Sequence, residues 1–193
     1  MTHTEDPRPH YSAALTWVHQ LMDGVHPAQL DAPTPCPDFD VRALLGHLVC
    51  TVERARVIGE GGDPTSVPPV VTDVPDDGWA DAYGSATVGL WKVWSDDAAL
   101  DRMVTPPWGT VPGHAAVRGY LNETLVHGWD LAVATGQDPE TDPDLAGTAL
   151  AGARRFIPAE PRGGHMPFGP VIPSAPDAGP TERLANWSGH ART

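Results

Sequence analysis

The chain has 193 residues, of which 40% are hydrophobic, and its 12 basic and 25 acidic residues give a formal net charge of −13. This length suits a single domain with a sizeable core. So acidic a chain repels phosphate backbones, and it carries no basic stripe with interleaved aromatic residues, so we expect no nucleic-acid binding.

No apolar run approaches the ~20 residues that span a bilayer, and the N-terminal stretch MTHTEDPRPHYSAAL lacks the features of a signal peptide. Cys36 and Cys50 form neither a disulfide framework nor a CxxC pair. Together these features favour a cytoplasmic protein with no membrane association.

Apolar residues in the first half of the chain recur mostly at helical spacing. The pattern predicts a first helix from about Ser12 to Gly24. A loop rich in Pro and Asp follows, and Asp38 or Asp40 can cap a second helix through a carboxylate oxygen. Residues 59–78 contain too much Gly and Pro for a regular element, so they predict a long crossover connection.

The second half of the chain predicts a third helix at residues 79–94, a fourth at 114–134 and a fifth at 143–156, followed by a tail rich in Pro and Gly. Four main helices and one long crossover indicate an all-α fold, a four-helix bundle, and bundle cores commonly hold metal sites between facing helices. We therefore predict a bundle domain at residues 1–160. Residues 161–193 are predicted to form a C-terminal extension that packs on it.

Polar side chains at two points of this pattern suggest a metal site. Glu123 and His127 lie four residues apart on the fourth helix, about 40° apart around its axis, and Asp130 follows on the same side. His47 lies at the edge of the apolar stripe of the second helix. Imidazole and carboxylate are good ligands for a divalent ion, and three protein ligands would leave an open position, as in catalytic zinc sites. The alternatives are a helix-surface pair formed by Glu123 and His127, and an ordinary border histidine at position 47.

Two stretches of the sequence resemble the signatures of a known family. TPCPDFDVRALLGHLV (residues 34–49) resembles the TPCP-aromatic-x-V-x-x-L-x-x-H signature of the mycothiol-dependent maleylpyruvate isomerase-like proteins, which are metal-binding four-helix bundles of the DinB superfamily. ETLVHGWDLAVATGQ (residues 123–137) resembles their E-x-x-x-H-x-W-D-x-A signature. The closing stretch GPVIPSAPDAGPTERLANWSGH (residues 169–190) is similar to the ending of a short actinobacterial subfamily described only as metal-binding proteins. The resemblance thus covers nearly the whole chain and implies a DinB-like bundle.

The resemblance also implies a ligand set. In the family, the His of the first motif and the Glu and His of the second hold the metal, which correspond to His47, Glu123 and His127 here. Asp130 is a candidate for orienting a metal ligand or for capping a neighbouring backbone amide, and a structural role is the alternative. The implied cofactor is a divalent metal, zinc first and nickel or iron(II) as alternatives, with mycothiol as a cosubstrate. One departure stands out, because the family pattern ends in Gly-Arg and this chain has His190 where that Arg would stand.

Other polar residues are secondary candidates. His19 on the first helix could reach the cleft, and His165 lies in a segment that could fold over its mouth. Arg162 in the same segment could bind an anionic group of a cofactor or substrate. Cys50 follows His47 by three residues, but its angular position favours a packed thiol, and Cys36 is predicted to pin the TPCP loop.

These observations favour a metal-dependent enzyme that activates a low-molecular-weight thiol for S-transfer to, or isomerisation of, an electrophilic small molecule. The main alternative is a non-catalytic bundle that binds metal or small ligands, for sequestration or stress response. A third possibility is a bundle that binds no metal and serves as an interaction scaffold. We expect the protein to be a monomer or a homodimer.

Overall fold

Helices build almost all of the regular structure in residues 6–163 and 168–192, the part of the chain that this computed structural model describes. Seven α-helices lie within these residues: α1 Arg8–Asp23, α2 Val41–Gly59, α3 Trp79–Trp94, α4 Asp97–Asp101, α5 Gly113–Thr135, α6 Pro143–Phe156 and α7 Pro180–Ser188. Two strands, β1 Met103–Val104 and β2 Val111–Pro112, pair antiparallel in a short hairpin. The all-α prediction is confirmed.

Four of the helices form a bundle. Helix α1 contacts α3 and α5, and α2 contacts the same two helices, so α1 and α2 lie at opposite corners. Leu44, Leu90 and Leu125, one from each of three helices, are fully buried in the shared core. Each such side chain contributes about 1.5–3 kcal/mol by leaving water. Because α2 and α5 are neighbours, side chains on their facing sides can meet.

The predicted helix boundaries hold closely. Helices α3 and α6 have the predicted bounds, and α1 begins at Arg8, four residues earlier than expected. The earlier start follows from Pro9, which suits the first turn of a helix, and from Arg8, whose guanidinium pairs with Asp6 at 2.7 Å. Of the two candidate caps of α2, Asp40 has this role, because its Oδ1 accepts a 2.8 Å hydrogen bond from the Ala43 amide.

The long connection between α2 and α3 runs along the surface of α2. Arg54 of α2 donates a 3.0 Å hydrogen bond to the carbonyl oxygen of Pro68 in the connection. Gly46 lets the two backbones approach, because a Cβ at that position would clash with the carbonyl oxygen of Val71. The connection therefore passes directly beside residue 47.

The C-terminal extension contains a helix that the sequence analysis missed, α7, which packs against α5 and α6. Pro180 opens the helix and Gly189 closes it with a φ of 97°, a pairing typical of helix ends. The carboxylate of Glu140 accepts hydrogen bonds from the Thr181 amide at 2.9 Å and the Glu182 amide at 3.0 Å, which satisfies two free amides of the first turn. The domain division at residue 160 stays a prediction. Across the described ranges, none of the helices combines the length and apolar character that crossing a membrane requires.

Candidate metal centre

Three side chains converge where α2 faces α5. His47 Nε2 lies 3.4 Å from Glu123 Oε1, and His127 Nε2 lies 3.5 Å from the same oxygen. All three ligand atoms lie within 4.8 Å of one another. Ligands bound tetrahedrally at about 2.1 Å lie about 3.4 Å from each other, so the two separations from Glu123 Oε1 match edges of a zinc coordination sphere.

The outer ring nitrogens of both histidines have partners that set their tautomers. His47 Nδ1 lies 3.1 Å from the carbonyl oxygen of Pro69, an acceptor, so this nitrogen carries the proton. His127 Nδ1 lies 2.9 Å from Oδ2 of Asp130, which is fully buried. In both rings Nδ1 thus has an acceptor behind it, a backbone carbonyl for His47 and a carboxylate for His127, and Nε2 is the nitrogen that faces Glu123. A ring held in this way would present Nε2 to a cation once that nitrogen is unprotonated.

The contacts in this cluster fall into two ranges of distance. The two contacts to Glu123 Oε1 exceed the usual 2.7–3.2 Å range of a hydrogen bond from nitrogen, whereas the Asp130 contact lies inside it. Because imidazole and carboxylate are also the donor types that divalent zinc accepts, the residues present fit such an ion. Three protein ligands would leave one position open to a substrate atom, with the ion as Lewis acid.

Aromatic packing holds the histidine rings in place. The ring of Phe39 stacks on that of His47 with centroids 4.8 Å apart and planes 29° apart, and it meets the edge of the His127 ring at 6.2 Å. Thr51 Oγ1 lies 3.4 Å from His47 Nε2 on the next turn of α2. The cluster thus has one apolar wall and one hydroxyl beside the ligand atoms.

The electrostatics of the metal-free cluster follow from this geometry. Burial raises the pKa of Glu123, but the neighbouring His127 and His47 rings outweigh it and hold that pKa well below its usual range. Burial lowers the pKa of His127, but its hydrogen bond with Asp130 and the neighbouring Glu123 carboxylate reverse the effect and raise it to about 10. The same competition, with His127 and His190 as donors, lowers the pKa of Asp130. The carboxylates are therefore ionised at neutral pH.

His190 was singled out in the sequence as a departure from a motif, and the structure gives it a partner. Its Nδ1 lies 3.0 Å from Oδ1 and 2.9 Å from Oδ2 of Asp130. The His190 and His127 rings meet edge to face with centroids 5.5 Å apart. Asp130 therefore lies between a histidine of α5 and a histidine of the C-terminal extension.

Cys36 lies closer to this cluster than its predicted role in the TPCP loop implied. Its sulfur lies within 4.8 Å of ligand atoms of His127, Asp130 and His190, and burial raises the pKa of its thiol to about 11. The predicted pinning is also seen, since the Thr34 hydroxyl accepts a 3.2 Å hydrogen bond from the Cys36 amide and lies 2.8 Å from the Phe39 carbonyl oxygen. No motif spacing linked Cys36 to residues about 90 and 154 positions away.

The secondary candidates lie away from the cluster. His19 is half-buried and faces Gly84 of α3, and Cys50 is buried beside the long connection near Val71. The guanidinium of Arg162 donates to the carbonyl oxygens of Pro158, Gly169 and Trp187 within the extension, at 2.6, 3.2 and 2.9 Å. Anion binding by Arg162 stays a prediction. His165 lies outside the described residues.

Comparisons with known proteins agree with this architecture. A profile of the mycothiol maleylpyruvate isomerase N-terminal domain matches residues 11–132, which include all three residues that meet between α2 and α5. Uncharacterized proteins of two Mycobacterium tuberculosis strains are each 29% identical over 184 residues, covering 95% of this chain and 97% of the relative.

Solved structures with this fold are known. The crystal structure of the mycothiol-dependent maleylpyruvate isomerase aligns with a TM-score of 0.60 at 15% identity, covering 78% of this chain and 71% of that one. A mutant of the isomerase in which alanine replaces a histidine aligns with a TM-score of 0.55 at 14% identity, covering 68% of this chain and 63% of that one. With the profile match spanning well over half of its length, the chain belongs to the mycothiol maleylpyruvate isomerase N-terminal domain family.

Proposed function

We propose that this protein is a metal-dependent enzyme that activates a low-molecular-weight thiol of the mycothiol type for S-transfer to, or isomerisation of, an electrophilic small molecule. One observation carries the proposal. His47 Nε2 and His127 Nε2 both lie at the edge length of a tetrahedral site from Glu123 Oε1, and both outer ring nitrogens already have acceptors. Zinc suits this ligand set best, with nickel or iron(II) as the alternatives.

Each residue of the site has a distinct part in this proposal. When bound, the cation supplies a Lewis acid that lowers the pKa of a thiol brought to its open position. Pro69 and Asp130 hold the two imidazoles in the tautomer that presents Nε2. Phe39 covers one side of His47 and limits water access, while Glu123 keeps 34% of its side chain exposed, so the cluster is open to solvent on the carboxylate side.

The proposed reaction uses the thiol as a nucleophile. In S-transfer to a halide such as monochlorobimane, its sulfur forms a bond to carbon as the carbon–chlorine bond breaks; chloride leaves with that electron pair, and the thiol proton passes to solvent. In isomerisation the thiolate adds to a carbon–carbon double bond, and the π electrons move onto the electron-withdrawing group conjugated with it. The remaining single bond rotates, the double bond re-forms as the carbon–sulfur bond breaks, and the thiolate leaves with that electron pair. Family membership supports this class of chemistry, because a solved relative is named a mycothiol-dependent maleylpyruvate isomerase.

The first test is metal content by elemental mass spectrometry after reconstitution with zinc. We expect about one equivalent in the wild type and none in His47→Ala or Glu123→Gln. His19→Ala and Glu60→Gln are matched controls, because these positions lie outside the cluster, and both should retain the metal. A wild type that takes up no metal would overturn the proposal and leave the scaffold interpretation.

The second test is thiol chemistry. Loss of monochlorobimane should be accelerated when the zinc-loaded protein and mycothiol are both present, and the acceleration should disappear in His47→Ala. Stoichiometric zinc without any acceleration, for this electrophile or for maleylpyruvate, would support the non-catalytic binding protein.

A further inference from the structure

The C-terminal extension places the imidazole of His190 beside Asp130, on the side of His127 that faces away from Glu123. Helix α7 ends at Gly189, whose φ of 97° turns the chain inward. Two hydrogen bonds hold the backbone of the next residue, His190. Its amide donates to the carbonyl oxygen of Ala185 at 2.9 Å, and its carbonyl oxygen accepts from Asn186 Nδ2 at 2.9 Å. Its side chain is 19% exposed, so it is largely enclosed.

The receiving group is Asp130, a carboxylate with no exposed side-chain surface. A buried carboxylate keeps its charge only where hydrogen bonds replace water. His127 supplies one such bond to Oδ2, and His190 lies within reach of both oxygens. The nearby Cys36 thiol, with its pKa raised to about 11, is neutral at physiological pH and adds no charge.

The distances identify this as a hydrogen-bond relay. Every nitrogen–oxygen contact of Asp130 measures 2.9–3.0 Å, which is hydrogen-bond length, whereas the contacts of Glu123 measure 3.4–3.5 Å. Because Asp130 in turn holds the ring of His127, the position of the carboxylate sets the direction of the His127 Nε2 lone pair.

We propose that His190 is a positioning residue that acts through Asp130 to orient His127 for metal binding, so that docking of the C-terminal extension strengthens binding of the metal. This inference rests on the proposed metal site but goes beyond its three ligands. It makes residues 168–192 a part of the site, although they lie outside the segment that the family profile matches.

The test is zinc affinity, measured by competition with a chromophoric chelator. Loss of a group behind a ligand typically weakens metal binding 10–100-fold, and we expect about tenfold for His190→Ala. His190→Asn, which keeps an N–H donor at about the position of Nδ1, should recover most of the affinity. Asp130→Asn combined with His190→Ala should bind zinc no more weakly than Asp130→Asn alone, because both changes break the same relay.

A matched control separates positioning from simple loosening of the extension. Arg162→Ala removes hydrogen bonds to Gly169 and Trp187 but touches neither Asp130 nor His190. It should lower the melting temperature. Well below that temperature, where His190 still reaches Asp130, it should leave the zinc affinity unchanged. Equal loss of affinity in Arg162→Ala and His190→Ala would overturn the proposal, as would unchanged affinity in His190→Ala.

Two further outcomes distinguish this inference from a second cation site and from failure of the proposed function. A wild type that binds two zinc ions, one of them lost in both Cys36→Ala and His190→Ala, would overturn the relay and identify a second cation site. If the wild type binds no zinc, the proposed function fails, and imidazole ¹⁵N shifts decide the relay on their own. A changed His127 Nδ1 shift in His190→Ala would support it, and an unchanged shift would overturn it.

Discussion

Glu123 Oε1 lies 3.5 Å from His127 Nε2, one helical turn further along α5. If a metal binds between them as proposed, it competes with the proton on His127. With Asp130 on the other ring nitrogen, the pKa of His127 rises to about 10 in the metal-free protein. The ring is therefore an imidazolium at pH 7 and must lose a proton before Nε2 can bind a cation. We expect zinc binding at pH 7 to release about one proton, and the affinity to increase with pH up to about 10. Titration calorimetry in buffers of different ionisation enthalpy measures the released proton directly.

Asp130→Asn provides the control for this proton release. Without the carboxylate, the pKa of His127 falls, so fewer protons leave on zinc binding near pH 8. A binding enthalpy that is identical in all buffers would contradict the link between His127 and the metal.

The same residue predicts how the stability of the metal-free protein depends on pH. The folded pKa of His127, about 10, lies above its ordinary value near 6.5. Its contribution to stability is therefore fully present below about pH 6.5 and is lost as the pH rises through about 10. We expect urea midpoints of the chelator-treated protein to fall between pH 7 and pH 10, and to fall less in His127→Gln. Midpoints that stay level in the wild type would show that the imidazolium does not stabilise the fold.

Helical spacing placed Glu123 and His127 on one side of a helix and His47 at the edge of another, which allowed the three to meet but left a surface pair as the alternative. The resemblance of the two motifs to a metal-binding family selected this set of three. The rest of the site depends on segments without such periodicity. Pro69 contributes a backbone carbonyl, which leaves no signal in the sequence, and Cys36 arrives through the path of a loop. Pro180 and Gly189 are typical start and end residues of a helix, but they lie in a stretch rich in Pro and Gly, which predicts a loop. The sequence analysis therefore missed α7, and it also missed that the chain after α7 returns to Asp130.

Removal of the metal should lower the melting temperature. A ligand present at 100 times its Kd stabilises the native state by about 2.7 kcal/mol. For a chain of this size, about 1 kcal/mol corresponds to about 2–4 °C, so chelation should cost about 5–10 °C. Scanning fluorimetry with and without EDTA measures the shift. His47→Ala should show no shift, and a wild type whose melting temperature ignores the chelator would speak against a bound metal.

Gly189→Ala should destabilise the extension. The φ of 97° is strained for alanine, and the new Cβ would lie 2.8 Å from Cα of Gly169, so we expect a loss of about 1–3 kcal/mol in the free energy of unfolding. Gly152→Ala is the matched control, because among the described residues no atom beyond the local backbone of α6 lies within 4 Å of a Cβ at that position. Alanine there should be neutral or stabilise the protein by up to about 1 kcal/mol. Urea denaturation compares the two, and equal midpoints would mean that the turn at Gly189 tolerates a side chain.

Thr34→Val should weaken the turn that places Phe39 against His47. The Thr34 hydroxyl is buried, accepts from the Cys36 amide at 3.2 Å and lies 2.8 Å from the Phe39 carbonyl oxygen. Valine keeps the shape but leaves these backbone groups without a partner, at a cost of about 1–3 kcal/mol.

Thr16→Val is the control, because its hydroxyl is exposed on α1 and bonds only to the Ser12 carbonyl oxygen among the described contacts. Its effect should therefore stay within about 0.5 kcal/mol. Urea midpoints give the stability difference. Zinc affinity should fall in Thr34→Val alone, because its turn carries Phe39, whose ring stacks on the proposed ligand His47. Equal effects of the two substitutions would show that the turn does not depend on this hydroxyl.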